Sequence, residues 1–182
     1  ATIAIVGFGR IGREVAKRAA GFSMRILAVT SDPTPRTDSE TGAMYTDLDT
    51  ALKEADFVCL NVALNDDTRG MIGARELGLM KRSAILVNAA RGPVVDTRAL
   101  VEALRNGVIA GAALDVTDPE PLPADHPLIA MENCIVVPHI ASGSAATRSK
   151  MARMAATNAI EAVRGNRPPH IVNGDVWQNR RQ

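Results

Sequence analysis

A doubly wound α/β fold, a parallel sheet with helices on both faces, is the architecture this 182-residue sequence predicts. Three observations predict it. Short apolar runs alternate with helical patterns almost throughout, which implies parallel strands joined by crossover helices. Six of those runs read as near-continuous hydrophobic strands of the kind buried on both faces. The first of them leads directly into GFGRIG, a glycine-rich turn where strand gives way to helix.

Taken in order, TIAIV is the first strand and RIGREVAKRAAG the first helix, with Ile11, Val15 and Ala19 on one face and Gly21 as its stop. MRILAVT is the second strand. Thr46 with Asp49 forms a capping box ahead of DLDTALKEA. FVCLNV is the third strand, a short helix lies around ARELGLM, and AILVN is the fourth strand. Asp96 caps DTRALVEALRNG, whose buried stripe is Leu100, Val101 and Leu104. IAGAALD and CIVV are the fifth and sixth strands, separated by the proline-rich TDPEPLPADHP. A long helix spans 144–164, and NRPPHIVNGDVWQNRRQ follows without periodicity. The expected organisation is a dinucleotide-binding domain over 1–165 and a C-terminal tail over 166–182.

Composition narrows the function. Hydrophobic residues make up 46% and charged residues 23%, ordinary for a soluble globular protein. A net charge of +1 gives no electrostatic case for nucleic acid or a membrane surface. No apolar run approaches the roughly 20 residues that span a bilayer, and Ile3–Val6 is too short for a signal peptide. Cys59 and Cys134 each sit inside an apolar run and read as buried strand cysteines. With no CxxC or HxxxH spacing and three histidines in all, a metal site is not expected. A cytoplasmic location fits this composition.

The glycines carry the first chemical argument. Each costs conformational entropy on folding, so three in six residues need a reason. G-x-G-x-x-G is weak alone, but here it follows a strand, opens a helix and begins a βαβ unit. Gly7 would make the tight turn, Gly9 would let a pyrophosphate reach the backbone, and Gly12 would let helix and strand pack closely. The helix N-terminus supplies free N–H donors for the phosphates. A dinucleotide is the expected cofactor. Asp32, 20 residues after Gly12, would bond the adenosine ribose and favour NAD. If the strand ends at Thr30, then Thr30 and Ser31 face the ribose instead, Arg36 can reach a phosphate, and NADP is possible.

In an open parallel sheet, ligands bind beyond the carboxyl ends of the strands. Three reactive side chains follow such ends: Arg91 in VNAARGPVVD, Glu120 in LDVTDPEPLP and His139 in VVPHIASG. Together they suit hydride transfer to a 2-oxo acid. A guanidinium can clamp a carboxylate through two hydrogen bonds. An imidazole can protonate the forming alkoxide, and a neighbouring carboxylate would orient it. His126 and His170 read as solvated.

These segments, VGFGRIG, VNAARGPVVD, LDVTDPEPLPADHPL and VVPHIAS, resemble the D-isomer-specific 2-hydroxyacid dehydrogenases. The glyoxylate/hydroxypyruvate reductase and phosphoglycerate dehydrogenase branches are the most similar, and the likeness runs from Thr2 to about Asn173. The resemblance implies that Arg91 binds substrate, Glu120 supports the histidine and His139 is the general acid/base. It implies further that Asp115 holds the nicotinamide carboxamide, with the backbone of Ala89, Ala90 and Arg91 nearby. Arg10 and Ile11 would lie along the pyrophosphate, and His139 and Ser142 would also line the cofactor. Glutamate at 120 points to hydroxy acids, since formate dehydrogenases of this superfamily carry glutamine there.

Two departures stand out. CLNVALNDDTRGMI has Asn61, Ala63 and Asn65 where the family pattern has His, Pro and Thr. The family also carries a long segment ahead of the glycine motif, forming most of a substrate domain, whereas this sequence starts at the first cofactor-domain strand. The expectation is a cofactor domain with the substrate domain largely missing. It would bind dinucleotide, turn over little small 2-oxo or 2-hydroxy acid alone, and self-associate as a homodimer. The rival reading is a noncatalytic dinucleotide-binding module of co-repressor type.

Overall fold

Parallel strands buried on both faces need helices on both sides, and the architecture follows from that. The computed structural model describes residues 1–32 and 34–178, and divides into two units, Ala1–His139 and Ile140 onward. The division falls at His139/Ile140, whereas the sequence suggested one at Gly165. Asn179–Gln182, the end of the expected tail, lie outside the described residues.

The first unit holds a seven-stranded parallel sheet of order β3-β2-β1-β4-β5-β6-β7. The strands are β1 (Thr2–Val6), β2 (Arg25–Val29), β3 (Met44–Thr46), β4 (Phe57–Leu60), β5 (Ile85–Asn88), β6 (Gly111–Leu114) and β7 (Cys134–Val136). Helices α1 (Arg10–Gly21), α2 (Leu48–Glu54), α3 (Ala74–Leu79), α4 (Thr97–Arg105) and the short α5 (Pro127–Ala130) connect them. The sheet thus has one strand more than the six expected. β3 was missed because three residues are too few to show a period.

Register divides the core in two. Ala4, Leu27, Val58 and Leu86 share one face, which packs on apolar residues of α2, α3 and α4. Ile5, Ala28 and Cys59 share the other, beneath Ala16 and Ala19 of α1. Towards β7 that second face continues through Val87 and Ala113 to Ile135, which is 66% exposed.

Local signals are mostly obeyed. Asp96 caps α4, accepting a hydrogen bond from the Ala99 N–H at 3.0 Å, and Leu100, Val101 and Leu104 are buried. Three expectations need correction. The α2 cap is Asp47, whose carboxylate accepts from the Thr50 N–H at 2.8 Å, and not a Thr46–Asp49 box. The buried face of α1 is Gly12, Ala16 and Ala19; Ile11, one residue off that face, is 69% exposed. Cys59 is buried in β4, but Cys134 is half-buried because β7 is an edge strand.

The second unit contains α6 (Ala145–Val163), capped by Ser144, and a short 3₁₀ turn at Gly174–Trp177. The tail folds back within this unit, its His170 N–H donating to Asn158 Oδ1 at 3.1 Å. No helix among the described residues is long and apolar enough to cross a membrane.

Candidate active site

The carboxyl ends of the strands carry two clefts. On the β1, β2 and β4 side is a cleft of about 830 Å³ whose walls include Gly7, Gly9, Thr30, Ser31 and Asn61. The three motif glycines divide their work. Gly7 has φ +95°, and a Cβ there would stand 2.6 Å from the Asn61 carbonyl carbon. A Cβ on Gly12 would stand 2.2 Å from the Gly7 oxygen. Both are required by the protein's own packing. Gly9 differs: a Cβ there would meet nothing within 4 Å, because the residue opens onto the cleft. The first turn of α1, with Arg10 and Ile11 exposed, leaves its N–H groups without intrahelical acceptors. A pyrophosphate fits this cradle in both charge and size.

Thr30, Ser31 and Asp32, the residues expected at the ribose, follow the end of β2. Thr30 and Ser31 belong to the cleft wall, but Asp32 does not. Its carboxylate is bound within its own loop, by the Thr34 N–H at 3.1 Å, the Thr34 hydroxyl at 2.7 Å and Arg36 Nη1 at 2.8 Å. These bonds, led by the Thr34 hydroxyl, hold the carboxyl below its ordinary pKa.

On the β5–β7 side, Asp115, Thr117, Glu120 and His139 line a second cleft of about 430 Å³. His139 Nδ1 lies 2.6 Å from Glu120 Oε1. Glu120 Oε2 accepts from the Thr117 N–H at 3.3 Å. The bond to His139, assisted by the Thr117 N–H and by the charges of His139 and Arg91, keeps the Glu120 carboxyl below its usual range despite partial desolvation. The His139 N–H donates to the Asp115 carbonyl at 3.0 Å, and its φ of 52° puts it in the left-handed region. Glutamate and histidine therefore meet. Arg91 stands near enough for its charge to act on Glu120, while its guanidinium donates to the Ala90 carbonyl at 2.6 Å.

Two positioning residues escaped the sequence reading. Asn88, at the end of β5, accepts from the Ala90 N–H at 3.0 Å and donates to the Arg91 carbonyl at 3.0 Å, clamping the turn that presents Arg91. Asparagine ahead of a turn was the available signal. A Cβ on Gly92 would stand 1.8 Å from the Thr117 oxygen, so the Arg91 turn packs directly on the loop that bears Glu120. Ser142 lies in the second unit and is half-buried there. No group of three or more metal-ligating side chains occurs among the described residues.

The fold and the glycine cradle define a dinucleotide-binding domain of the doubly wound class. Its family is shown by the match of residues 1–141 to the model of the D-isomer specific 2-hydroxyacid dehydrogenase NAD binding domain. The chain belongs to that family. It is similar to a glyoxylate reductase of Korarchaeum cryptofilum, 51% identical over 175 residues, covering 96% of this chain and 53% of that protein. Among solved structures it resembles D-lactate dehydrogenase with NAD+ from Lactobacillus jensenii (TM-score 0.85, 37% identity, 94% of this chain and 55% of that one). It also resembles an NADPH-dependent glyoxylate/hydroxypyruvate reductase from Sinorhizobium meliloti in complex with NADP and malonate. There the TM-score is 0.80 and the identity 33%, over 88% of this chain and 49% of that one. The chain spans about half the length of the relatives it matches.

Proposed function

We propose that the chain is the cofactor-binding and proton-donating part of a reductase for small 2-oxo acids, of the glyoxylate or hydroxypyruvate type. The observation that carries this reading is the 2.6 Å contact between His139 and Glu120, at the carboxyl ends of the same parallel sheet as the dinucleotide cleft. A bound reduced nicotinamide supplies a hydride to the carbonyl carbon of the substrate. His139 gives its proton to the carbonyl oxygen as the C=O electron pair moves onto it, so a 2-hydroxy acid is released. Glu120, ionised at neutral pH, holds the ring and stabilises its charged form. Arg91 turns from the Ala90 carbonyl to bind the substrate carboxylate. Asp115, with the backbone of Ala89 and Ala90, orients the carboxamide, and Arg10 and Ile11 border the cofactor.

The noncatalytic module is disfavoured by the same contact, which binding alone does not need. Two free thiols suit a reducing compartment such as the cytoplasm. A homodimer is part of the reading: α6 buries no residue, and Ile135, Met151 and Val163 are exposed apolar side chains. Sedimentation of the chain as a monomer at micromolar concentration would remove that element.

Turnover of glyoxylate, hydroxypyruvate and pyruvate in the active enzyme tests the proposal. Arg91→Ala should raise KM and lower kcat together, by about 10²-fold or more in kcat/KM, because the clamp also orients the carbonyl. Unchanged kinetics would remove Arg91 from the site.

A further inference from the structure

Among the described residues, the polar side chains buried from solvent are Thr41, Asn88 and Thr117. A buried hydroxyl or amide costs desolvation free energy unless it is bonded, so each has a partner to account for. Thr41 donates to Asp38 in the β2–β3 connection, and Asn88 clamps the turn that presents Arg91. Thr117 stands three residues ahead of Glu120, at the start of the loop that carries the carboxylate.

That loop has few means of holding itself. Pro119 and Pro121 have no N–H to donate, and Asp118, Pro119 and Glu120 are exposed. Thr117 supplies three constraints at once. Its hydroxyl donates to the Pro119 carbonyl at 2.8 Å and closes the turn. Its N–H donates to Glu120 Oε2 at 3.3 Å, which leaves Oε1 for His139 Nδ1 at 2.6 Å. Its carbonyl lies against Gly92, where a Cβ would come within 1.8 Å, so the residue has no room to move towards the Arg91 turn. A second threonine holds the loop from outside: the Thr97 hydroxyl, in the first turn of α4, donates to the Asp118 carbonyl at 2.9 Å.

We propose that Thr117 is a positioning residue for the proton donor, its hydroxyl closing the turn that sets the Glu120 carboxylate on His139, with Thr97 as an outer stay. The proposal rests on the reductase reading above and adds to it which side chains fix the carboxylate. A glutamate on an exposed loop has many rotamers, and few of them reach both the Thr117 N–H and Nδ1. Closing the turn removes the others before substrate arrives. Preorganisation of this kind raises kcat and leaves ground-state affinity almost unchanged.

The test is steady-state reduction of glyoxylate across pH by the active enzyme, with NADH affinity titrated separately by nicotinamide fluorescence. Thr117→Val keeps the branched shape and loses the hydroxyl. It should lower kcat about tenfold, with KM and NADH affinity within about twofold of the unaltered values. The bond from the Thr117 N–H helps to depress the Glu120 carboxyl, so a loosened Glu120 should titrate nearer its ordinary range. The acidic limb of kcat/KM should therefore move to higher pH. Thr117→Ser, which retains the hydroxyl, should bring kcat back to within about twofold and return the limb. Thr97→Val, at a half-buried position, should lower kcat about threefold and move the limb the same way. A merely structural threonine would lower the unfolding midpoint and leave kcat and the limb in place. That result in Thr117→Val, or a loss that serine does not restore, overturns the proposal; should Thr117→Val not fold, the same result in Thr97→Val overturns it. A His139→Ala enzyme with normal turnover would instead overturn the reductase reading, and this proposal with it.

Discussion

His139→Ala should lower turnover about 10²–10⁴-fold in the active enzyme, with little change in dinucleotide affinity. The scale is that of losing a positioned general acid. Water can still protonate the alkoxide, but it is not held in place as the imidazole is by Glu120. Glu120→Gln separates the two contributions of the carboxylate. The amide can still accept from Nδ1 and keep the ring in place, but it no longer favours the protonated ring. Its turnover should fall less than that of His139→Ala at neutral pH. Because the Glu120 carboxyl lies below its ordinary range, the unaltered enzyme should lose this support only under clearly acidic conditions, as pH falls through that depressed value. Steady-state kinetics across pH read both effects. A His139→Ala enzyme with near-normal turnover would return the histidine to an ordinary surface role.

Gly9→Val should abolish measurable dinucleotide binding while leaving the unfolding transition almost unmoved. The two halves of that result have one cause. Gly9 has φ of −80°, available to any residue, and its Cβ direction is open. A valine therefore strains nothing in the protein and fills only the space through which a pyrophosphate reaches the α1 N–H groups. Gly12→Val is the contrasting control. Its side chain would collide with the Gly7 oxygen, so folding itself should suffer. Calorimetry showing unchanged affinity in Gly9→Val would remove the cleft as the phosphate site.

Much of this was legible in the residues alone, and the remainder divides by range. Strands of four or five apolar residues announce themselves because parallel sheets bury both faces. The placement of Arg91, Glu120 and His139 at one edge follows from their positions after β5, β6 and β7, which are neighbours in the sheet. Their roles remain the proposal made above. What stayed hidden depends on side-chain partners far apart in sequence or on single turns. Counting to Asp32 located a carboxylate but not the Thr34 and Arg36 groups that bind it. The Ile11 side chain follows a helical period, yet the face that packs on the sheet is the one bearing Gly12, Ala16 and Ala19. Gly92 looked like a turn residue beside a proline, and only the Thr117 backbone beneath it shows why nothing larger fits.

The left-handed backbone at His139 has a consequence for anyone who would evolve this protein. An L-residue other than glycine costs about 1–2 kcal/mol in that conformation, so the position proposed for the proton donor carries backbone strain, as Ser23 also does. His139→Gly and His139→Ala both lose the contact with Glu120, and they differ only in what the backbone demands. The glycine variant should therefore unfold about 1 kcal/mol harder than the alanine one, by chemical denaturation. A library sorted for heat resistance alone would drift towards glycine at this position and arrive at a hardier, inert protein. Selection on this scaffold has to score product formed, not survival of the fold.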